Sequence, residues 1–222
     1  MKIWSAAKII RIIKNLCLDP RANFPAYFDS LMLLIQEKRL GIDTRRYFYP
    51  QNRMGLFNDG NVYTATAYRR LQKMMSYLKL NKEDVFVDLG CGAGRAIFLA
   101  GTKRLKKIIG VEIVKEVLEM TQDNLKKLKL NRTPIEIIHG DACNLDVREG
   151  TVFFMFNPFG EKTFTKVMEN IRQSLKSNPR KIRIAYYVPG CRNLLDAQDW
   201  LVAEGQIGES GIFVWHSRCF SK

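Results

Sequence analysis

The stretch "VFVDLGCGAGR", residues Val85–Arg95, joins a short apolar run to three glycines that alternate with other residues. The apolar run predicts a buried strand, and the glycines that follow predict a sharp turn into a helix. Glycine tolerates positive φ angles and lets the backbone approach a ligand closely, while the first turn of a helix offers unpaired N–H groups. The stretch therefore predicts either a ligand-binding loop or a purely geometric turn.

From residue 85 onward, short apolar runs alternate with amphipathic ones. The predicted strands are Val85–Leu89, Ile108–Ile113, Ile135–Gly140, Val152–Phe156 and Ile182–Val188. The predicted helices between and after them span residues 95–103, 115–129, 162–176 and 193–200. Such alternation is typical of parallel strands joined by crossover helices. The predicted fold class is α/β, an open, doubly wound, mostly parallel sheet.

The end of the chain breaks this alternation. The runs "WLVAEGQIG" and "GIFVWHSRCF" resemble two strands with a turn at residues 209–211 and no room for a helix between them. They should therefore pair as an antiparallel hairpin. A seven-stranded sheet that ends in such a hairpin differs from the purely parallel dinucleotide-binding arrangement.

Residues 1–60 do not follow the strand and helix alternation, and we expect them to form a helical N-terminal segment or lid on a domain of residues 61–222. Within this segment, residues 25–41 predict a helix that is closed by Gly41. Residues 2–16 are amphipathic. Basic residues interrupt every apolar run among them, so none of these runs approaches the roughly 20 apolar residues of a membrane span. They either pack on the domain or lie on an anionic membrane surface. We expect a cytoplasmic protein, with peripheral membrane contact through this segment as the alternative.

The composition gives a net charge of +14 and a pI near 9.7, which raises the question of nucleic-acid binding. Most basic residues precede strands, at helix carboxyl ends, where cations complement the helix dipole. Much of the charge is therefore explicable without a nucleic acid. The basic residues predicted to reach the mouth of a site are Arg45, Arg46, Arg53, Arg69, Arg70 and Arg95. With five cysteines in no C-x-x-C pair and only two histidines, no metal site is expected.

Two acidic residues lie at the predicted carboxyl edge of the sheet, where open α/β sheets bind ligands. Glu112 ends the second strand, at a place where a carboxylate can accept both hydroxyls of a ribose, and Asp141 follows the third strand in "HGDAC". Either residue alone could equally be a solvated carboxylate or a helix cap. Suitable chemistry at three strand ends favours a nucleoside-containing ligand.

The four motifs "VDLGCGAGR", "GVEI", "GDA" and "FNPFG", in this order and with the terminal hairpin, resemble the class I S-adenosylmethionine-dependent methyltransferases over residues 61–222. The resemblance implies the cofactor S-adenosylmethionine, with S-adenosylhomocysteine as product. By the family's pattern, Asp88 and the glycine loop would hold the methionine part, Glu112 the ribose, Ile113 the adenine face, and Asp141 with the Ala142 backbone the adenine edge. The glycines of that loop are Gly90, Gly92 and Gly94.

A nicotinamide dinucleotide fits this loop less well. Its pyrophosphate calls for a third glycine in G-x-G-x-x-G, but Arg95 stands at that position. Asp88 suits the sulfonium and ammonium groups of S-adenosylmethionine and would repel a pyrophosphate. The sequence therefore favours methyl transfer over hydride transfer.

The segment "FMFNPFG", Phe154–Gly160, resembles the N-P-P-[YF] motif of family members that methylate amino groups. The resemblance implies that Asn157, which also borders the cofactor, accepts hydrogen bonds from the target nitrogen. It implies further that Phe159, after Pro158, packs on the group that carries this nitrogen. One proline of the motif is absent here, which argues against a flipped-base acceptor.

The segment "NVYTATAYRRL", residues 61–71, resembles the Y-x-P-T-P stretch of protein-lysine methyltransferases of this fold. Tyr63 and Thr66 occupy matching places and would close the site over the cofactor, although Ala65 and Ala67 replace the prolines. We therefore predict methyl transfer to a lysine-like nitrogen of a protein. The alternatives are an RNA or DNA methyltransferase, and a scaffold that binds the cofactor without turnover.

Overall fold

The computed structural model describes residues 24–45, 59–61 and 64–218. Its helices are α1 (Phe24–Leu40), α2 (Tyr68–Tyr77), α3 (Arg95–Gly101), α4 (Lys115–Lys127), α5 (Glu161–Ser177) and α6 (Arg192–Asp196), with a 3₁₀ turn at Ala142–Asn144. Its strands are β1 (Val85–Leu89), β2 (Lys107–Glu112), β3 (Ile135–His139), β4 (Val152–Phe156), β5 (Arg183–Tyr187), β6 (Leu201–Gln206) and β7 (Ile212–Ser217). The predicted segment of residues 2–16, with its suggested membrane contact, and Tyr63 lie outside the described residues. Among the helices that are described, none is long and apolar enough to cross a membrane.

The seven strands form one sheet in the order β3-β2-β1-β4-β5-β7-β6. Strands β1 to β5 are parallel, and β7 pairs antiparallel with both β5 and β6. The predicted fold class and its terminal hairpin are confirmed. Because the chain turns outward in opposite directions from β1 and β4, the carboxyl ends of these two neighbours flank the crevice where such sheets bind ligands.

Apolar side chains cover the sheet on both faces, as parallel strands require. Val85, Val87 and Leu89 point into the cluster that α5 covers, while Phe86 points into the cluster covered by α2 and α3. Complete burial of each such side chain contributes about 1.5–3 kcal/mol. The two cores make the sheet a rigid support for the loops at its edge.

The described parts of the N-terminal segment contact the domain at two places, a face of the sheet and its carboxyl edge. The end of α1 packs on a face of the sheet, where Leu40 and Ile42 are 0% and 6% exposed in the cluster of α2 and α3. Gly60 instead forms an antiparallel bridge with Phe159, at the carboxyl edge. Leu40 and Ile42 therefore belong to the core, whereas Phe28 and Ile35 of α1 are 51% and 49% exposed, and the helical segment or lid stays a prediction.

Candidate active site

The glycine loop after β1 has left-handed backbone at Gly90, Gly92 and Gly94, with φ of 88°, 56° and 87°. A Cβ on Gly94 would lie 2.3 Å from Cε2 of Phe98 and 2.9 Å from Cγ2 of Thr121. Such a distance is impossible without displacing a buried ring. Gly94 therefore lets the loop lie directly against α3 and α4 and directs the N–H groups of the first turn of α3 toward the sheet edge.

Glu112, at the end of β2, holds the loop from the neighbouring strand. Its Oε2 accepts the N–H of Gly92 at 3.0 Å, and its Oε1 accepts the N–H of Val114 at 2.9 Å. Burial raises the pKa of this carboxyl, although bonds from the same backbone groups act in the opposite direction. Each carboxylate oxygen has a further lone pair, so the side chain can hold the loop and still accept a hydroxyl.

Asp88, the fourth residue of β1, is 3% exposed. Burial, and then the nearby Glu112 carboxylate, raise its pKa to about 8. Among the described residues, no cation lowers this pKa against the effects of burial and Glu112. A buried acid without a cationic partner is costly, and an ammonium or sulfonium group placed beside it would remove that cost. The residues of this edge thus fit S-adenosylmethionine.

The next strand ends complete the same edge. The Ile113 side chain is 41% exposed, which is unusual for isoleucine and leaves an apolar surface beside Glu112. Asp141 accepts the Cys143 N–H at 2.9 Å through Oδ1 and so caps the 3₁₀ turn that begins at the buried Ala142. The cap interpretation of Asp141 is therefore correct for one oxygen. The second oxygen adds negative charge to the rim.

His139 is exposed, and its Nε2 lies 3.2 Å from the carbonyl oxygen of Ile113. This histidine is not part of the core, because β3 is an edge strand whose end is open to solvent. The ring fixes the backbone of the predicted adenine side of the site, far across the sheet from β4.

The predicted acceptor residue Asn157 directly follows β4. Its Oδ1 accepts the hydroxyl of Tyr186 at 3.0 Å, and its carbonyl oxygen accepts Nδ2 of Asn61 at 2.7 Å. Burial raises the pKa of Tyr186, so its hydroxyl stays a donor at all ordinary pH values. Asn157 has φ of 40°, and Val188, after β5, has φ of 49°. Left-handed backbone at a β-branched residue is strained, and such strain clusters at functional sites.

Pro158 and Phe159 have structural contacts that the motif did not predict. A Cβ on Gly90 would lie 2.7 Å from Cβ of Pro158, so the glycine loop and the acceptor loop are in direct contact. Phe159 is 6% exposed, and its ring centroid lies 6.3 Å from that of Phe164 in the core. Its ring therefore lies in the core, where it anchors the loop, and this corrects its predicted role as a surface for the acceptor.

Residues 59–61 support this loop, and the sequence did not predict it. Asp59 accepts the Thr163 hydroxyl at 2.5 Å and the Gly160 N–H at 2.8 Å. Burial alone would raise the pKa of Asp59, but the bonds from Thr163 hold it below the ordinary value. The backbone N–H of Asn61 donates to the Pro158 carbonyl at 2.9 Å. The Asp-Gly turn signal was visible, but nothing local indicated its partner.

An aromatic pair lies beside Asn157 on the other face of the sheet. The ring centroids of Phe156 and Tyr187, which are register partners in β4 and β5, lie 4.3 Å apart. The guanidinium carbon of Arg70 lies 5.4 Å from the Tyr187 ring centroid. Val188, next to Tyr187, is 49% exposed. Phe156 is partly exposed and Tyr187 is 9% exposed, so the rim that these rings form with Val188 is apolar and partly buried, with the Arg70 cation beside it.

Arg95, the residue after the glycine loop, is buried and bound to the N-terminal segment. Its Nε donates to the Thr44 hydroxyl at 2.7 Å, its Nη1 donates to the Thr66 carbonyl at 3.1 Å, and its Nη2 lies 3.7 Å from Oε1 of Glu37. The Tyr68 ring lies 5.2 Å from its guanidinium carbon. Arg95 was expected at the mouth of the site, but its side chain is buried against Glu37, which balances its charge.

Other predicted cations of the mouth are also paired. Arg45 contacts Asp43 at 3.0 Å, and Arg69 contacts Asp29 at 3.2 Å. Arg46 and Arg53 lie outside the described residues. Of the predicted set, Arg70 alone has a described side chain at the aromatic rim.

Asn124 of α4 ties the same N-terminal residues to the loop backbone. Its Nδ2 donates to the carbonyl oxygens of Asp43 and Ala93, at 3.0 Å and 3.2 Å, and its Oδ1 accepts the Asp43 N–H at 2.9 Å. The loop between Gly90 and Gly94 is thus supported from behind by residues 37–44.

We expect Glu37→Gln to lower the free energy of unfolding by about 3 kcal/mol, because it leaves the buried Arg95 charge without its ion-pair partner. Cofactor affinity should fall with it, since Arg95 follows the loop directly. Urea unfolding and calorimetric titration with S-adenosylmethionine measure both effects. The matched control is Asp29→Asn, which breaks the more exposed pair with Arg69 and should cost less than about 1 kcal/mol. Equal effects of the two variants would contradict the role of the Glu37–Arg95 pair in supporting the glycine loop.

Asp88 also makes cofactor binding depend on pH. With a pKa of about 8 in the free protein, this carboxyl is mostly protonated at pH 7. A bound cation favours the carboxylate, so binding at pH 7 should release close to one proton, and affinity should rise with pH up to about 8 and then level off. Calorimetry at pH 7 in two buffers of different ionisation enthalpy counts the protons. Identical heats in both buffers, or unchanged release in Asp88→Asn, would refute this assignment.

Comparison with known proteins agrees with this geometry. The family described as "Histone methylation protein DOT1" matches residues 56–177, more than half of the chain. A protein-lysine N-methyltransferase of Saccharolobus islandicus is 29% identical over 120 residues, 54% of this chain and 68% of the relative. A histone-lysine N-methyltransferase of Dictyostelium discoideum, specific for H3 lysine-79, is 31% identical over 119 residues, but the match spans only 6% of that much longer protein. Further relatives are named for cobalt-precorrin and for ribosomal RNA.

Solved structures share the fold. A Methanococcus maripaludis protein assigned as an S-adenosyl-L-methionine-dependent methyltransferase superposes with a TM-score of 0.54 at 18% identity, over 68% of this chain and 84% of that one. A dimethyladenosine transferase from Plasmodium falciparum gives 0.50 at 12% identity, over 71% and 64%. From the family match, and from the pocket that Asp88, Glu112 and the glycine loop form, the chain belongs to the family of the histone methylation protein DOT1 and is a class I S-adenosylmethionine-dependent methyltransferase.

Proposed function

We propose that this enzyme transfers a methyl group to the side-chain nitrogen of a lysine in a protein. The observation that carries the proposal is the position of Asn157, whose Oδ1 is fixed by the Tyr186 hydroxyl at the end of β4, beside the glycine loop. The match to a family described by histone methylation and the archaeal protein-lysine relative support a protein acceptor.

The cofactor side of the proposal assigns the same residues that the motifs indicated. Bound S-adenosylmethionine supplies a methyl group on a sulfonium, which is already a good leaving group. The Asp88 carboxylate would balance the cationic methionine part, Glu112 would accept the ribose hydroxyls, and Ile113 would cover the adenine. The backbone at Asp141 and Ala142 would bind the adenine edge. Tyr63 and Thr66 would close the site, with Thr66 placed by Arg95.

On the acceptor side, Asn157 acts by orientation. Tyr186 donates to one lone pair of Oδ1, which leaves a second lone pair for an amine N–H. An amine held by Oδ1 would lie beside the glycine loop, which contacts Pro158, and positioning of this kind would supply much of the rate in a displacement at carbon. The rings of Phe156 and Tyr187 would pack on the lysine methylenes and exclude water.

Loss of the lysine proton needs no protein base in this scheme. An ordinary lysine has a pKa of about 10.4 and must be neutral to react. His139 lies at the end of β3, three positions from β4 in the sheet, and His216 pairs with the first residue of β5, at the opposite edge. Water therefore takes the proton, and kcat/KM should rise with pH below the pKa of the substrate amine.

The acceptor class is tested with labelled S-adenosylmethionine and three substrates: lysine-containing proteins, single-stranded RNA and duplex DNA. The proposal requires label in protein, recovered as methyl-lysine after acid hydrolysis, and lost in an Asn157→Gly variant that still binds the cofactor. Label recovered in a methylated base would favour the nucleic-acid alternative. Cofactor binding without transfer to any of the three would favour the scaffold alternative.

We also propose that residues 24–45 and 59–61 belong to the same catalytic unit as the domain predicted for residues 61–222. The buried positions of Leu40 and Ile42 and the contacts of Glu37 and Asp59 with the two loops support this assignment. If it holds, a chain that starts at residue 61 should fail to bind the cofactor.

A further inference from the structure

Basic side chains collect where three helices end, at the edge of the sheet opposite the proposed site. They come from the last turns of α1 and α4, the turn after α3, and the connection between α4 and β3. All eight are exposed. This amino-edge basic patch consists of Lys38, Arg39, Lys103, Arg104, Lys126, Lys127, Lys129 and Arg132.

Backbone hydrogen bonds join the three helix ends into one surface. The Lys129 N–H donates to the Leu40 carbonyl at 2.8 Å, which ties the end of α1 to the residues after α4. The Arg132 N–H donates to the Gly101 carbonyl at 2.8 Å, and the Thr133 hydroxyl donates to the Lys103 carbonyl at 2.6 Å, which ties the same connection to the end of α3. The charges of the patch are therefore held on ordered backbone.

Little within the described residues neutralises the patch. Lys126 is its one member with a recorded ion pair there, to Asp123 at 3.3 Å. Each helix carboxyl end adds only about half a negative charge, so three ends offset a small part of eight cations. The sequence interpretation that helix dipoles explain these residues is thus insufficient for this group.

Several basic residues elsewhere on the same edge are paired, although Lys176 and Lys181 are exposed there. Lys107 lies 2.6 Å from Glu136 and 3.8 Å from Glu149. Arg180 donates to the carbonyl oxygens of Val147 and Gly150, and Arg183 binds Asp84. Those cations have structural partners, whereas the patch presents its cations to solvent.

We propose that the amino-edge basic patch binds the phosphate backbone of double-stranded nucleic acid. Lysine and arginine side chains attract phosphates over about a Debye length, and eight of them on one ordered surface can contact several phosphates of a duplex at once. The patch has no aromatic member, so it lacks the stacking surface that single-stranded binding uses. Binding should therefore be independent of sequence and strongly dependent on salt. This surface is separate from the proposed lysine site, and neither proposal rests on the other.

The test is fluorescence anisotropy of a short labelled DNA duplex against the full chain over a series of salt concentrations. If about four phosphates are contacted, the logarithm of the affinity should fall with the logarithm of salt at a slope of about −4. The triple variant Lys103→Gln/Lys127→Gln/Lys129→Gln should bind at least about tenfold more weakly and reduce that slope by about 3. Calorimetric binding of S-adenosylmethionine should stay unchanged in it, because the patch is remote from the pocket.

The matched control is Lys166→Gln/Lys176→Gln/Lys181→Gln, which removes the same charge from exposed lysines on and after α5. It should keep most of the duplex affinity. Equal losses in the two triple variants would overturn the proposal in favour of a general charge effect. The proposal would also be overturned if the patch bound another probe more strongly than the duplex. The probes are single-stranded DNA, phosphatidylserine vesicles and polyglutamate, and each stands for a different class of partner.

Discussion

Asn157→Gly is expected to lower kcat by about 10²–10³-fold, the usual effect of removing one oriented hydrogen-bonding group from a reacting centre. Glycine is the informative substitution because residue 157 has φ of 40°, which glycine adopts without strain. Cofactor affinity should change far less than kcat, since Asp88, Glu112 and the glycine loop remain. Steady-state kinetics on a methylated protein substrate, with calorimetry for the cofactor, separate the two quantities.

Tyr186→Phe is the companion variant, because it removes the hydroxyl that orients Asn157 and leaves the amide in place. The loss of one such bond corresponds to about 1 kcal/mol, or roughly a fivefold lower kcat. Full activity in Asn157→Gly would remove Asn157 from the mechanism. A loss in Tyr186→Phe as large as that in Asn157→Gly would show that the tyrosine itself meets the acceptor.

Gly94→Ala is expected to abolish measurable cofactor binding. The new Cβ would stand 2.3 Å from the Phe98 ring and 2.9 Å from Thr121, at a φ of 87° that disfavours any side chain. Left-handed backbone costs about 1–2 kcal/mol, and overpacking of a filled core adds about 1–3 kcal/mol. The loop has to move, and the N–H groups of α3 move with it. Calorimetric titration measures the loss, and thermal unfolding reports the stability.

Two other glycine variants separate the effect of backbone strain from the effect of steric overlap in Gly94→Ala. Gly205→Ala places a Cβ at φ of 101° with no described atom within 4 Å, so it measures strain alone, far from the site. Gly140→Ala is at the binding edge, also with open space, so it measures the effect of a methyl group there without strain or overlap. Both variants should bind the cofactor. Wild-type affinity in a folded Gly94→Ala would contradict the role assigned to close packing.

The sheet and its helices could be predicted because their signals are local. Periodic apolar residues set the five parallel strands to within one residue, and the glycines after β1 marked the turn at the ligand edge. The parallel strands and the antiparallel hairpin followed from the alternation and from the short terminal connection, whereas the order of strands in the sheet came from the structure. The same locality explains why Asp88, Glu112 and Asp141 could be placed at one edge, since parallel strands bring their carboxyl ends together.

The predictions that failed concerned burial and partners across the chain. Phe159 turns into the core, because its loop pairs with Gly60 from a distant segment. Arg95 read as a surface cation, yet it is buried against Glu37, 58 positions earlier by residue number. None of these partners leaves a periodic signal in the sequence.

The sequence by itself determined the class of fold and the edge at which a ligand binds, because hydrophobic period and motif spacing act over a few residues. The chemistry of that ligand came from the resemblance of the four motifs to a known family. The tertiary structure alone decided which partners hold the candidate site residues in place. In the folded chain, the Tyr186 hydroxyl donates to the Asn157 amide, residues 37–44 support the glycine loop, and cations from three helix ends lie on one surface. Each of these contacts joins residues distant in the chain, and burial of charge and hydrogen bonding, rather than local preference, determines them.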